Sequence, residues 1–479
     1  MHEFLIGLFV VVQALYLFGL LTTIWLLALP VDRVEGGPLE DPNELPRIIM
    51  FYPVLHEQEA TMRTTFVGMA KADYPEHLLR VIAIPNADDE QSLTGLRNVQ
   101  AEFPFLEIMP VPPTTDPSWE PVWQAWEENE NSYWWHFGKR AAVKDLPPKK
   151  TRQLVWAMYR LAPGNDESLL SYIDADSVIP RDYWQLAARG MTQYDVLQNT
   201  NITGNLLATI PASFHAMDHI AWDATVYRHM SAHGKHPFYV LGKGLFFRFE
   251  DLLTVGGFHP WITIEDPEIG MRLWNNGARL GIVESPLIEE VPATWWHGFT
   301  QRKRWVAGFF QSLNSPLAAM GMPWRQRYRA RLNLVPCLSL IVNLPGFAIG
   351  AWAIVAAVYT PHRVFPVPVS ILAVVTIALA LCVLLYCWYR AWVLTALVLT
   401  RRRDRVKYVL IVNPLTMMIY WLWWALPLTR GFVMFLMDHG LRWERTEKID
   451  ANHHLIRSRA DAHAPAIEAP EELPGPEGG

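Results

Sequence analysis

The chain has 479 residues, of which 51% are AVILMFWYC and only 18% are charged, where a soluble domain of this length carries about 25% charge. That balance argues against an ordinary soluble enzyme and against a pure membrane bundle, and it predicts a soluble body joined to several spans. The apolar content and 22 Trp exclude disorder over most of the chain, and a net charge of −6 supplies no basic field for nucleic acid. Cys337, Cys382 and Cys387 all lie in apolar stretches, which argues against a disulfide framework or a Cys-ligated zinc site.

Residues 4–29 carry no charge, a run longer than the roughly 20 residues that cross a bilayer. Met1-His2-Glu3 lacks the basic start of a signal peptide, so the run reads as a retained transmembrane helix. Uncharged runs follow at 332–360, 364–389 and 408–429. Arg325, Arg327, Arg329 and Arg331 precede the first of these, and Arg401, Arg402, Arg403, Arg405 and Lys407 follow the second; both clusters should face the cytoplasm, with Pro361 to Arg363 outside. The predicted organisation is an N-terminal span over 1–30 and a cytoplasmic body over 31–325, with an interfacial helix near 305–320. A membrane region follows over 326–437 (332–360, 364–396, 408–437), then a polar, largely disordered tail over 438–479. The last apolar run contains Pro414, Pro427 and Arg430; it fits a full crossing, which would place the tail outside, or an interfacial or re-entrant segment.

Within the body, Ile48-Ile49-Met50-Phe51-Tyr52-Pro53-Val54 reads as a buried parallel strand, followed by a helix over 60–72. Strands are predicted at 79–84, 106–111 and 169–173, with a helix over 154–161. Strand–helix alternation predicts an α/β sheet with helices on both faces and its ligand at the carboxyl ends of the strands.

Strand 169–173 runs into Asp174-Ala175-Asp176, two carboxylates able to gather around one hard divalent cation, although alone the pattern also fits a solvated acidic turn. Glu265 and Asp266 begin a helix marked by Ile269 and Leu273, where the dipole favours carboxylates for capping or for chemistry. Gln301-Arg302-Lys303-Arg304-Trp305 joins phosphate-binding donors to an indole face suited to a sugar ring, or forms a basic face beside the bilayer. His297, His453 and His454 form no zinc set and read as surface histidines, and Trp421, Trp423 and Trp424 read as an interfacial belt.

The three motifs in this order resemble those of the inverting family-2 glycosyltransferases of GT-A fold. More narrowly, they resemble the membrane-embedded cellulose, chitin and hyaluronan synthases, whose patterns are D-x-D, T-E-D and Q-x-x-R-W. The likeness runs from about residue 47 to 312 and extends to Asp73-Tyr74-Pro75, Lys150-Thr151-Arg152, Val240-Leu241-Gly242-Lys243-Gly244 and Trp443-Glu444-Arg445-Thr446. It departs at Ile264, where the family has threonine, and at Asn86-Ala87-Asp88-Asp89, where the family has a D-x-S-x-D-like run.

The resemblance implies a hexosyltransferase that moves a sugar from a UDP- or GDP-linked donor to a growing glycan. It would be a multi-pass protein of the plasma (inner) membrane with a cytoplasmic catalytic domain. The implied roles are Asp266 as base with Glu265 shaping the site, and Asp176 with Asp174 on Mg²⁺ or Mn²⁺. Asp88, Asp89, Lys150, Asp174, Gln301 and Arg304 would bind donor and diphosphate, and Trp305 and Gly242 the acceptor. Membrane lipid and accessory subunits are further implied partners; nucleic acid is not. Two other readings stand beside processive β-polysaccharide synthesis: transfer of a single sugar to a lipid-linked or oligosaccharide acceptor, and a non-catalytic nucleotide-sugar-binding scaffold.

Overall fold

The computed structural model describes residues 2–39, 41, 43–137, 143–359, 366–437, 449, 450 and 452. The expected external turn near 361–363, the 443–446 motif, His453, His454 and the rest of the tail lie outside the described residues.

The helices that matter below are α1 (His2–Leu27), α2 (Glu59–Ala70), α3 (Glu90–Glu102), α4 (Lys150–Leu161), α5 (Asp266–Asn275) and α6 (Trp295–Leu313). Four more follow: α7 (Asn343–Tyr359), α8 (Val367–Leu394), α9 (Arg402–Ile411) and α10 (Pro414–Leu436). The strands are β1 (Ile48–Tyr52), β2 (Leu79–Ala83), β3 (Leu106–Ile108), β4 (Leu169–Tyr172), β5 (Val196–Thr203), β6 (Leu245–Arg248) and β7 (Leu280–Glu289).

They form one sheet in the order β3-β2-β1-β4-β6-β5-β7. It is parallel from β3 to β4, β6 is antiparallel to both its neighbours, and β5 and β7 pair in parallel. All five residues of β1 are buried, as its unbroken apolar sequence requires of a central strand covered on both faces. Ile49 and Phe51 enter one core with Leu170 and Tyr172, while Ile48, Met50 and Tyr52 enter a second core on the opposite face. The first four strands lie where the sequence puts them, within a few residues. The last three do not announce themselves, because buried polar residues such as Gln198, Asn199 and Asn201 interrupt the apolar pattern of β5.

Three helices among the described residues are long and apolar enough to cross a membrane, Glu3–Leu27, Val367–Leu397 and Pro414–Leu436, where about four were expected. The 332–360 run divides into Val335–Leu338, a 3-10 turn Ser339–Val342 and α7. Pro336 and Pro345 punctuate it, each lacking the N–H that an uninterrupted helix would use.

The expected interfacial helix begins ten residues early, since α6 starts at Trp295 and contains the whole Gln301–Trp305 motif. Thr294 caps it by accepting from His297 N. Helix α10 runs parallel along α6. Trp295 meets Trp423 at a ring distance of 5.4 Å near one end, and Phe310 meets Phe432 at 4.8 Å near the other. Of the most apolar stretch of α10, 39% is buried, against 17% for each of the other two long helices.

Candidate active site

The sheet delivers the acidic motifs to one cavity of about 300 Å³. Lys150, Asp174, Asp176, Gly242, Glu265, Asp266, Gln301, Arg304 and Trp305 all line it. Asp88 and Asp89 do not. The Asp89 carboxylate caps α3 through Ser92 N and also accepts from His56 N and the Ser92 hydroxyl; these bonds outweigh burial and hold it below the usual carboxylate range. Asp88 is exposed, 4.0 Å from Arg152, whose guanidinium bonds Asn86 Oδ1 at 2.7 Å.

Asp174-Ala175-Asp176 follows β4 directly, so the strand itself sets their depth. Asp176 is buried, and its Oδ2 accepts from Glu290 N at 2.9 Å, just beyond the end of β7. Lys150, at the start of α4, bridges Asp174 (3.1 Å) and Glu265 (3.2 Å). Burial would lower the Lys150 value, but Asp174, Glu265 and Asp266 together hold it well above the ordinary lysine range, so it remains a cation.

Asp266 is the first residue of α5 and Glu265 its N-cap. Asp266 Oδ1 accepts from Tyr172 OH at 2.8 Å. Burial, and then the neighbouring Glu265 charge, push Asp266 up to about 7, against the opposing influence of Lys150 and Tyr172. A carboxylate so tuned can take a proton near neutral pH. Gly242 passes against the same carboxylate with φ of +64°.

On α6 the spacing i, i+3, i+4 puts Gln301, Arg304 and Trp305 on one face, toward the cavity. Arg302 turns the other way and is fully buried, donating from Nε (2.8 Å) and Nη2 (2.5 Å) to Asp218 Oδ2. Tyr420 OH (2.6 Å) and Trp424 Nε1 (3.1 Å) of α10 bond the same carboxylate oxygen. The tryptophans of α10 thus belong partly to the body, beyond the membrane belt expected of them.

Among the described residues no group of three or more His, Cys, Asp or Glu side chains converges as a complete metal cage. Two carboxylates beside a cavity still fit Mg²⁺ or Mn²⁺, which bind one or two carboxylates and leave other positions to water and substrate phosphates. They do not fit structural zinc.

Sequence reasoning missed Tyr172, Asp218, His219, Asp223, Lys243, Glu289 and Glu290, which line or abut this cavity. A signal was present for His219 and Asp223, ionisable residues four apart in one helical segment, and for Lys243 in the Gly-Lys-Gly run.

The chain belongs to glycosyl transferase family group 2, whose model matches residues 169–437. It is a glycosyltransferase with a GT-A-like fold. Among solved structures it is similar to the mannosyltransferase PcManGT from Pyrobaculum calidifontis, solved in complex with GDP-Man and Mn²⁺. The two are 16% identical, with a TM-score of 0.52 over 91% of this chain and 99% of that one. A second match is S. aureus TarS 1–349 in complex with UDP-GlcNAc, at 11% identity and a TM-score of 0.34, over 76% of this chain and 90% of the other. No curated protein matches the sequence.

Proposed function

We propose that the chain transfers a sugar from a nucleoside diphosphate to a glycan acceptor with inversion, and repeats the transfer on the same glycan at the membrane. The observation that carries this reading is Asp266, a buried carboxylate pushed up to about 7 in a cavity that also holds Asp174, Asp176 and the Gln301, Arg304, Trp305 face.

Asp266 accepts the acceptor hydroxyl proton as that oxygen bonds the anomeric carbon. The bond from that carbon to the diphosphate oxygen breaks, and its electron pair leaves with the nucleoside diphosphate. A single displacement inverts the anomer, so an α-linked donor gives a β-glycoside. Gln301 and Arg304 supply fixed donors to the diphosphate. Tyr172 orients Asp266, and Glu265 and Lys150 set its charge. Asp176 with Asp174 would hold Mg²⁺ or Mn²⁺, which supplies neutralisation of the diphosphate charge. Trp305 stacks on the terminal acceptor ring. The mannosyltransferase PcManGT, solved with GDP-Man and Mn²⁺, agrees with a nucleotide-sugar donor and a divalent ion in this reading.

The domain reading carries over with one refinement. The body lies on the cytoplasmic face, α1, α7 and α8 cross the bilayer, and α10 lies along its surface beside α6. Ile449 N and Asn452 N donate to the Glu290 carboxylate at 3.0 and 3.2 Å, and Asp450 accepts from Thr64 at 2.8 Å. A full crossing by α10 would require the charged 438–447 stretch to return through hydrocarbon to reach them. A tag fused after residue 479 should therefore resist external protease in intact cells and be cut in inside-out vesicles; the opposite pattern restores the crossing.

Product length tests processivity. Stacking worth about 1 kcal/mol holds the product between turns, so Trp305→Ala should shorten products more than it slows hydrolysis of the donor by water. Wild-type products limited to one added sugar would establish the single-transfer reading instead. Failure to release nucleotide from any UDP- or GDP-sugar would leave the non-catalytic one.

A further inference from the structure

The helix Trp324–Leu332 takes no part in the proposed transfer, yet it carries Arg325, Arg327, Arg329 and Arg331 and no acidic residue. Among the described residues none of these four arginines forms an ion pair. Trp324 and Tyr328 are 67% and 58% exposed, and Arg325 and Arg331 are exposed beside them. The spacing i, i+1, i+4, i+7 puts these four side chains on one face, with the buried Ala330 on the opposite one. The Arg325 guanidinium lies 5.4 Å from the Trp324 ring centre. Only Asn333 and Leu334 separate the helix from Val335–Leu338, the first turn of the membrane run.

The opposite face is tied to both supports of Asp266. Ala330 packs with Met271 of α5, the helix that Asp266 begins, in a small core completed by Leu317 and Met322. Asn275 of α5 donates at 2.6 Å to the carbonyl of Met320, which packs against that core. Asn333, buried just past the helix, donates through Nδ2 to Pro237 O, and its own carbonyl accepts from Tyr239 OH at 3.4 Å. Tyr239 leads into Gly242, and Gly270 of α5 passes so near that a Cβ there would lie 2.6 Å from Tyr239 Cα. A shift of the helix is therefore felt by α5 and by the loop that stands against the Asp266 carboxylate.

We propose that the helix Trp324–Leu332 docks on the headgroup phosphates of anionic phospholipid, and that this contact steadies α5 and the Gly242 loop around Asp266. The effect on turnover rests on the glycosyl-transfer reading of the cavity; the lipid contact does not. A guanidinium forks to two phosphate oxygens, and Arg325 and Arg331 hold charges that no carboxylate of the described residues neutralises. Indole and phenol rings settle at the headgroup level, where an apolar body and a polar edge are both satisfied. The phosphate of phosphatidylcholine is offset by its own choline, whereas phosphatidylglycerol leaves a net negative charge, so the preference is for the anionic lipid. An acidic protein would meet the same arginines, but exposed aromatics at the entrance to a membrane run are placed for lipid.

The test uses the full-length protein in nanodiscs of phosphatidylcholine, alone or mixed with phosphatidylglycerol. Spin-labelled lipids report contact: wild type should immobilise phosphatidylglycerol about threefold more strongly than phosphatidylcholine. Arg325→Gln with Arg331→Gln should remove most of that preference, and Arg325→Lys with Arg331→Lys should keep it. Nucleotide release is measured alongside. Phosphatidylglycerol should raise it about threefold in wild type and in the Lys pair, through kcat with donor KM little changed, and not in the Gln pair. Arg401→Gln, Arg402→Gln and Arg403→Gln together remove more charge from the other basic cluster and should leave the rate response intact. A wild type that prefers neither lipid, or a Gln pair with undiminished preference, overturns the docking; preference without a rate response overturns the link to Asp266. A wild type indifferent to lipid whose rate changes on removal of residues 461–479 would assign the helix face to the chain's own acidic tail instead. If no donor releases nucleotide, the transfer reading and the link to Asp266 fall together, while lipid immobilisation still decides the docking.

Discussion

Gly242 and Asp266 are in contact through the side chain that Gly242 lacks: a Cβ there would lie 2.5 Å from Asp266 Oδ2. The loop carrying Gly242 thus fixes where that carboxylate can stand. Two constraints coincide at the glycine, since its φ of +64° is also one that L-residues rarely adopt. Gly242→Ala should displace Asp266 and lower turnover by about 100-fold, the scale of a 1 Å misplacement of a reacting group. Donor affinity should change little. Near-normal turnover with a weakened acceptor would mean that Gly242 touches only the sugar.

The environment of Asp266 sets a pH dependence with a definite sign. If its carboxylate form is the base, the rate should rise with pH and level off above about 7, where burial and Glu265 have pushed its titration. The folded-state value lies above the roughly 3.9 of an unfolded aspartate, so folding favours the protonated form. That contribution to stability is complete below about pH 4 and is lost as pH rises through about 7. Asp266→Asn should therefore lower turnover by at least about 100-fold and yet melt higher than wild type at pH 8, with no such gain at pH 4. Glu265→Gln should cost less turnover; the reverse order would move the proton to Glu265.

Removing the divalent ion offers a separate check. Asp176→Asn leaves one carboxylate of the two, so turnover should collapse and excess Mn²⁺ should recover part of it. EDTA should silence wild type. Undiminished nucleotide release in EDTA would exclude the ion from the reaction.

The Asp218–Arg302 pair predicts an effect on folding. Arg302 is fully buried, and Asp218 Oδ2 gathers its Nε and Nη2 together with Tyr420 OH and Trp424 Nε1. Arg302→Leu strands a buried carboxylate, a loss of about 3–5 kcal/mol, and should loosen α10 from α6. Adding Asp218→Asn should restore part of that loss, because the two changes share one network. Additive losses in detergent unfolding would show that the two residues act independently.

The sequence carried what depends on near neighbours. Runs such as 48–54 and 169–173 identify buried strands because they are short and mostly apolar. Asp174 and Asp176 fall at a strand end, and the i, i+3, i+4 spacing of Gln301, Arg304 and Trp305 becomes one face once the segment is helical. Composition alone also established a body joined to apolar helices. It did not reveal β5 to β7, where Gln198 and Asn201 of β5 are buried and bond partners distant in the chain, or the break in the 332–360 run.

Tertiary structure decided the rest, since it turns on which groups meet across the sheet. Asp88 and Asp89 are adjacent and alike in sequence, yet Asp89 is committed to capping α3 while Asp88 stays exposed. The adjacent Glu265 is visible in the sequence, but burial in the cavity does most to raise Asp266, and Lys150 and Tyr172, which oppose it, come from distant elements. Lys243 meets Asp223, His219 and Glu289 only because β6 and β7 bring their ends to the π-helical turn His219–Val226. Electrostatic interactions and hydrogen bonds act over a few ångströms of space whatever the separation along the chain, so a reading of local pattern identifies the groups and folding selects their partners.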